Sequence, residues 1–258
     1  FVMELLEGQP LDQFLEEHGR LELAAAVPIL RGVARALDAA HDKGIIHRDI
    51  KPENIFLVAD PEGGWFPKLL DFGIAKAFGG QPEGMHKTRT GAPIGTPYYM
   101  SPEQCRGRDV DHRTDIYAFG CVAYELLTGT VPFSGDDYMD ILMKQIGEPP
   151  PLLSQTVPAL QALDEAIQWM MQKDPADRPA NLTAALAALE QSAESSGVAL
   201  PVARTTGQLA RTTPAPALRT PTPSTRPIAS AETIDLSGRA ATVAADAPPS
   251  KATPAVAA

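Results

Sequence analysis

Only two cysteines, Cys105 and Cys121, occur in the 258 residues, and their spacing fits no metal-binding pattern. They read as small apolar fillers, one in a loop and one in a helix. Two reduced thiols suit a cytoplasmic setting without proving one. Long apolar runs are missing too: no window approaches the roughly eighteen uninterrupted apolar residues of a membrane-spanning helix. The opening Phe1-Val2-Met3-Glu4 has no basic stretch of a secretory signal, and without an initial Met, Phe1 is not expected to be the translation start. A clustered basic patch is also absent. Residues 193–258 carry six basic and four acidic side chains, a net of +2, which leaves −12 on residues 1–192 of a chain whose total is −10. An acidic body argues against binding a nucleic-acid backbone.

Aromatic residues make up 6% of the chain, and none follows residue 193. Beyond that point Ala, Thr and Pro dominate, as in Arg211-Thr212-Thr213-Pro214 and Arg219-Thr220-Pro221-Thr222-Pro223. Such a segment cannot bury enough apolar area to offset its chain entropy. The expected division is a globular domain over 1–192 and a disordered Ala/Thr/Pro-rich tail over 193–258.

The body reads as mostly helical. Leu11, Phe14, Leu15 and His18 share one face of a short helix that Gly19 ends. Val27, Leu30, Val33, Leu37 and Ala40 predict a second helix over 22–43, closed by Gly44, with Pro28 in its early turns. Three short apolar runs, Ile45-Ile46, Ile55-Phe56-Leu57-Val58 and Lys68-Leu69-Leu70, read as small strands. Helices are expected again at about 113–128, 136–146, 159–173 and 180–191. The stretch from 71 to 110 has little periodicity, and a loop of that length in a compact domain is usually functional.

Polar residues concentrate in His47-Arg48-Asp49-Ile50-Lys51-Pro52-Glu53-Asn54. Asp71-Phe72-Gly73 starts seventeen residues after Asn54, and Ser101-Pro102-Glu103 starts thirty after Asp71. In this order and spacing the three motifs resemble the catalytic loop, Asp-Phe-Gly triplet and Ala-Pro-Glu-like triplet of protein kinases. The match is specifically to bacterial eukaryotic-like serine/threonine protein kinases.

The resemblance implies an α+β, protein-kinase-like fold: a mostly helical C-lobe with short strands, with most of the β-rich N-lobe absent. It also implies ATP and Mg²⁺ as cofactors. Asp49 would accept the proton of the substrate hydroxyl, and a carboxylate suits that role because it is ionised at neutral pH. Asn54 and Asp71 would supply hard oxygen ligands to Mg²⁺. Lys51 would sit beside the transferring phosphate, as in serine/threonine rather than tyrosine kinases. Thr96, in Gly95-Thr96-Pro97-Tyr98-Tyr99-Met100, would join the peptide-binding segment to the catalytic Asp and Lys. Glu103 would pair with Arg178 and lock that segment to the helical body. Asp115 would brace the catalytic loop, and His47 would pack beneath it. Arg48 implies activation by phosphate, with Thr88 and Thr90 as acceptors.

At the chain start, Phe1 to Gly8 resembles the last N-lobe strand and the hinge. On that mapping Met3 is the gatekeeper, the backbone at Glu4 and Leu6 binds adenine, and Phe56 is the floor beneath the ring. No Gly-x-Gly-x-x-Gly and no Val-Ala-x-Lys occurs in the sequence, so the N-lobe clamp on ATP is expected to be missing. Two function classes stay open. One is a kinase acting on Ser/Thr hydroxyls of protein substrates, with room for a homodimer during autophosphorylation and no nucleic-acid partner. The other is a truncated, inactive scaffold or binding module. A third role, phospho-acceptor or linker, rests on the tail. The chain is expected in the cytoplasm, and attachment of a longer parent to a membrane is undecided.

Overall fold

The computed structural model describes residues 4–60, 64–72, 97–197 and 200. Strand β1 (Gly8–Pro10) leads into α1 (Leu11–His18), which buries Leu11 and Phe14. α2 (Leu23–His41) buries Val27, Leu30, Val33 and Leu37, an apolar stripe at helical spacing. Pro28 falls beyond the first turn of α2, so the helix gives up one internal hydrogen bond there.

The expected strand at Ile45-Ile46 is not one. Gly44 takes φ +71° and the Ile45 amide turns back to the Ala40 carbonyl at 2.9 Å, which closes α2 instead of starting a ladder. Ile45 is left 47% exposed. β2 (Ile55–Ala59) and β3 (Trp65–Leu69) do form, and join β1 in an antiparallel sheet of order β1-β2-β3. Central β2 points Ile55 and Leu57 into the core. Pro10 and Pro67 stand on the two outer strands, where a missing N–H is tolerated. β1 was illegible in sequence because it is three residues long and contains both Gly and Pro.

α2 crosses β3 closely at Gly32. A Cβ placed there would lie 2.3 Å from Cγ of Pro67, so only glycine allows the approach.

The described residues from 97 onward are mostly helical: α3 (Pro102–Cys105), α4 (Arg113–Thr128), α5 (Tyr138–Gly147), α6 (Leu153–Thr156), α7 (Asp164–Met170) and α8 (Leu182–Ser195). α4 is buried on nearly every side and forms the axis of the core. The single helix expected at 159–173 is a 3-10 segment, Pro158–Leu163, followed by α7. The bend has a tertiary cause: the Asp164 carboxylate accepts the Ser154 amide at 2.9 Å, which fixes the junction. α5 starts two residues late because Asp137 caps it, accepting the Asp140 amide at 2.8 Å.

α8 has two caps. Asn181 accepts the Ala184 amide at 2.7 Å, and Asp38 of α2 accepts the amides of Leu182 and Thr183, each at 2.9 Å. The helix runs through Ser195, past the composition break near residue 193. The expected disordered stretch from residue 201 onward lies outside the described residues. Among the described residues no helix is long and apolar enough to cross a membrane.

Candidate active site

The segment 47–54 crosses from α2 to β2 and is held from behind by one buried carboxylate. Asp115, fully buried in the first turn of α4, accepts the backbone amides of His47 (Oδ2) and Arg48 (Oδ1), both at 2.8 Å. His41 reaches the same carboxylate through Nε2 at 2.8 Å. Arg48 takes φ +67°, a strained conformation for a residue with a Cβ. Two contacts hold it there: its amide on Asp115, and its carbonyl, which accepts Gln104 Nε2 at 2.8 Å.

The strain turns Asp49 outward. Its carboxylate is 46% exposed, and Oδ2 accepts Asn54 Nδ2 at 3.1 Å and faces Lys51 Nζ at 3.3 Å. Asn54 Nδ2 also donates to the Asp49 carbonyl at 2.7 Å. The amide nitrogen of Asn54 is therefore committed to Asp49, which leaves its carbonyl oxygen for another partner.

His47 is buried beneath the loop. Its Nε2 bonds the Leu70 carbonyl at 2.9 Å and its ring lies 4.8 Å from that of Phe72. The Leu70 amide donates to the Asn54 carbonyl at 2.9 Å, so the residue before Asp71 is tied to Asn54. Asp71 is exposed and, like Arg48, has positive φ, +51°. Asn54 and Asp71 thus offer two oxygen donors from adjoining segments, one of them facing solvent. That donor set fits Mg²⁺, which takes few protein oxygens and keeps waters and phosphate oxygens.

The opposite wall is the segment Pro97–Cys105. Tyr99, Met100 and Gln104 line a pocket with Arg48, Asp49 and Lys51. Ser101 starts α3 with a reciprocal cap: its amide donates to Gln104 Oε1 at 3.0 Å, and its hydroxyl accepts the Gln104 amide. Glu103 and Arg178 form a two-pronged ion pair at 2.7 and 2.8 Å, buried on both sides. Burial alone would push the Glu103 carboxyl up. The bonds and charge of Arg178, helped by Thr114, outweigh it and hold the carboxyl below the usual carboxylate range. The Arg178 guanidinium also donates to the carbonyls of Gln172 and Arg113, so no donor face is left bare. Tyr99 donates to Glu125 at 2.6 Å; burial pushes both groups up, and the charge of Glu53 pushes each of them further.

At the sheet, Lys68 stands opposite Phe56, and its ammonium holds both oxygens of Glu4 at 2.8 Å. Phe56 and Leu6 are half-buried. Glu4 is therefore tied to the sheet beside Phe56, whereas Met3, Thr88, Thr90 and Thr96 lie outside the described residues. Sequence reading missed Gln104, Thr114 and Glu125. Only Gln104 left a signal, the Ser-x-x-Gln spacing of a capping box.

The family described as protein kinase domain matches residues 1–191. The chain is 40% identical over 220 residues to the serine/threonine-protein kinase pkn3 of Myxococcus xanthus, covering 79% of this chain and 40% of that one. It is 42% identical over 177 residues to PknA of Mycobacterium tuberculosis, covering 69% and 39%. Among solved structures it resembles the PknI kinase domain of Mycobacterium tuberculosis at TM-score 0.57 and 28% identity, covering 74% of this chain and 64% of that one. Rad53 residues 1–466 in complex with AMP-PNP gives TM-score 0.58 at 28% identity, covering 72% and 46%. The chain spans 40% or less of the length of these curated relatives.

Proposed function

This chain belongs to the protein kinase family, and from that premise we propose that it carries the phosphoryl-transfer machinery of a serine/threonine kinase. The observation that supports the reading most is the pose of Asp49. Its carboxylate is ionisable, half in solvent, steadied by Asn54 and Lys51, and placed at a pocket whose other wall is a peptide-sized segment.

In this reading a Ser or Thr hydroxyl of a protein substrate enters beside Asp49. Asp49 accepts a hydrogen bond from that hydroxyl, aims its oxygen at the γ-phosphorus of ATP, and takes the proton as the new P–O bond forms. The bond from the γ-phosphorus to the bridging oxygen breaks, and ADP leaves with that electron pair. Lys51, whose ammonium faces the Asp49 carboxylate at 3.3 Å, stabilises charge on the transferring group. Asn54 and Asp71 would hold Mg²⁺, which neutralises charge on the phosphate oxygens when bound. Glu4, Leu6 and Phe56 would meet the adenine.

The test is transfer of phosphate from ATP to myelin basic protein by the full-length protein that carries these residues, with and without Asp49→Asn. The reading expects a loss of roughly 10²- to 10⁴-fold on removing the base. An Asp49→Asn variant as active as the parent would overturn it. The second reading is a kinase-like binding module. A full-length protein that transfers no phosphate would favour that one.

A further inference from the structure

Gln145, on α5, is completely buried and lies far in sequence from every residue with an assigned role. Its side-chain amide is fully used. Nε2 donates to the carbonyls of Pro97 (3.2 Å) and Tyr98 (2.6 Å), and Oε1 accepts the hydroxyl of Tyr117. The two hydrogens of the amide thus match two carbonyls of the segment whose next residues, Tyr99 and Met100, line the pocket beside Asp49. Within the 3-10 turn Pro97–Tyr99 the Pro97 carbonyl also accepts the Met100 amide at 3.2 Å, so the Tyr98 carbonyl is the one that leans most on Gln145.

Tyr117 has given its one proton to Gln145, so its oxygen needs a donor. Lys173 Nζ provides it at 3.0 Å, and the same ammonium donates to the backbone carbonyls of Gln145 (2.9 Å) and Lys144 (3.4 Å) at the end of α5. All three ammonium hydrogens have partners. A cation at a helix C-terminus also meets the negative end of its dipole. Lys173 further lies 4.1 Å above the Phe133 ring, and Arg178 lies 4.9 Å from the Tyr117 ring. Tyr117 therefore links the Glu103 lock at one end of the segment to the Gln145 bonds at the other.

We propose that Gln145 is a positioning residue for the peptide-binding segment, set in place by Lys173 through Tyr117. The inference rests on the kinase reading above and adds to it the element that holds the acceptor's platform. Asp49, Asn54 and Lys51 are fixed by bonds among themselves, and the adjoining Arg48 amide is held by Asp115; none of these passes through Gln145. Loosening Gln145 should then weaken use of the protein acceptor and leave the reacting groups in place.

The experiment compares the full-length protein with Gln145→Met, Lys173→Met and the double variant. The readouts are KM for myelin basic protein, kcat, and ATP hydrolysis without acceptor. Gln145→Met keeps side-chain length, takes the Gln145 donor from the Tyr98 carbonyl and leaves Pro97 with the Met100 amide alone, so KM should rise about tenfold. kcat and acceptor-free hydrolysis should hold within about threefold. Lys173→Met should move KM in the same direction, by less, and add little to Gln145→Met, since both act through one chain of bonds. If Gln145→Met fails to fold, the lysine variant alone decides, because Gln145 keeps both its carbonyls there and only its aim is released. An active parent matched in KM by the variants overturns this proposal alone. Independent, additive KM effects overturn the Lys173 link. A parent with no transfer activity overturns the kinase reading and this inference together.

Discussion

The backbone amide of Arg48 donates to Asp115 Oδ1 at 2.8 Å, and Arg48 is held at φ +67°. A residue with a Cβ stays in that region only when its surroundings over-determine it, at a cost on the order of 1–3 kcal/mol. Asp115 carries much of that determination, since it also holds the neighbouring amide of His47.

Replacing Asp115 by Asn keeps the volume but puts an amide where two N–H groups now converge. One of them must lose its acceptor, at a cost of about 1–3 kcal/mol in urea denaturation. The strained turn relaxes and Asp49 drifts from its aim. Phosphate transfer should fall by roughly 10²-fold with secondary structure retained by circular dichroism.

Glu103 and Arg178 form a buried pair, so removing one partner strands a charge. Glu103→Gln or Arg178→Met should each cost about 3–5 kcal/mol, and the double variant less than their sum. A double-mutant cycle in urea reads this directly. The folded carboxyl of Glu103 is held below its ordinary value. Its contribution is therefore complete above the unfolded-state pKa and is lost as pH falls through the folded-state value. Acid unfolding of Glu103→Gln should lose that part of its pH dependence.

Lys173 acts in the same sense but at higher pH. Burial lowers its pKa from 10.5 to about 8, with Arg178 adding in the same direction and Cys121, Cys105 and Glu148 opposing. Between those two values the unfolded chain binds more protons than the folded one, so this group makes stability rise with pH. The parent should gain on Lys173→Met as pH climbs from about 8, as followed by urea midpoints. A gap that narrows over that range would contradict the assignment.

The contact of Gly32 with Pro67 gives a prediction against helix propensity. Ala is the better helix former by about 1 kcal/mol. Its Cβ, however, has no room beside a ring that cannot rotate away, and overpacking costs about 1–3 kcal/mol. Gly32→Ala should lower the melting temperature, and adding Pro67→Ala should recover much of the loss.

The candidate site was legible because a single run, His47 to Asn54, carries most of its residues in order and needs no partner to be recognised. The same holds for the helices whose apolar residues recur at steps of three and four. Gln145 and Lys173 were not legible. Gln145 reads as one more polar residue on an amphipathic helix, and its meaning comes from carbonyls 47 and 48 positions away. Ile45-Ile46 misled for a related reason: apolar β-branched residues predict a strand only where a neighbouring strand can pair, and Gly44 sends the chain elsewhere. The bend at Asp164 follows from Ser154, ten residues earlier, through a bond that no periodicity encodes.

The capping of α8 by Asp38 ties together amides and an acceptor 144 and 145 positions apart. At about 5–20 residues per second, synthesis separates the two by roughly 7–30 s. Throughout that interval α2 stands on the ribosome with its carboxylate turned to water and its flank uncovered. The nascent chain thus depends on α8 to seal α2, and the time between them is a window in which chaperones and proteases compete with folding.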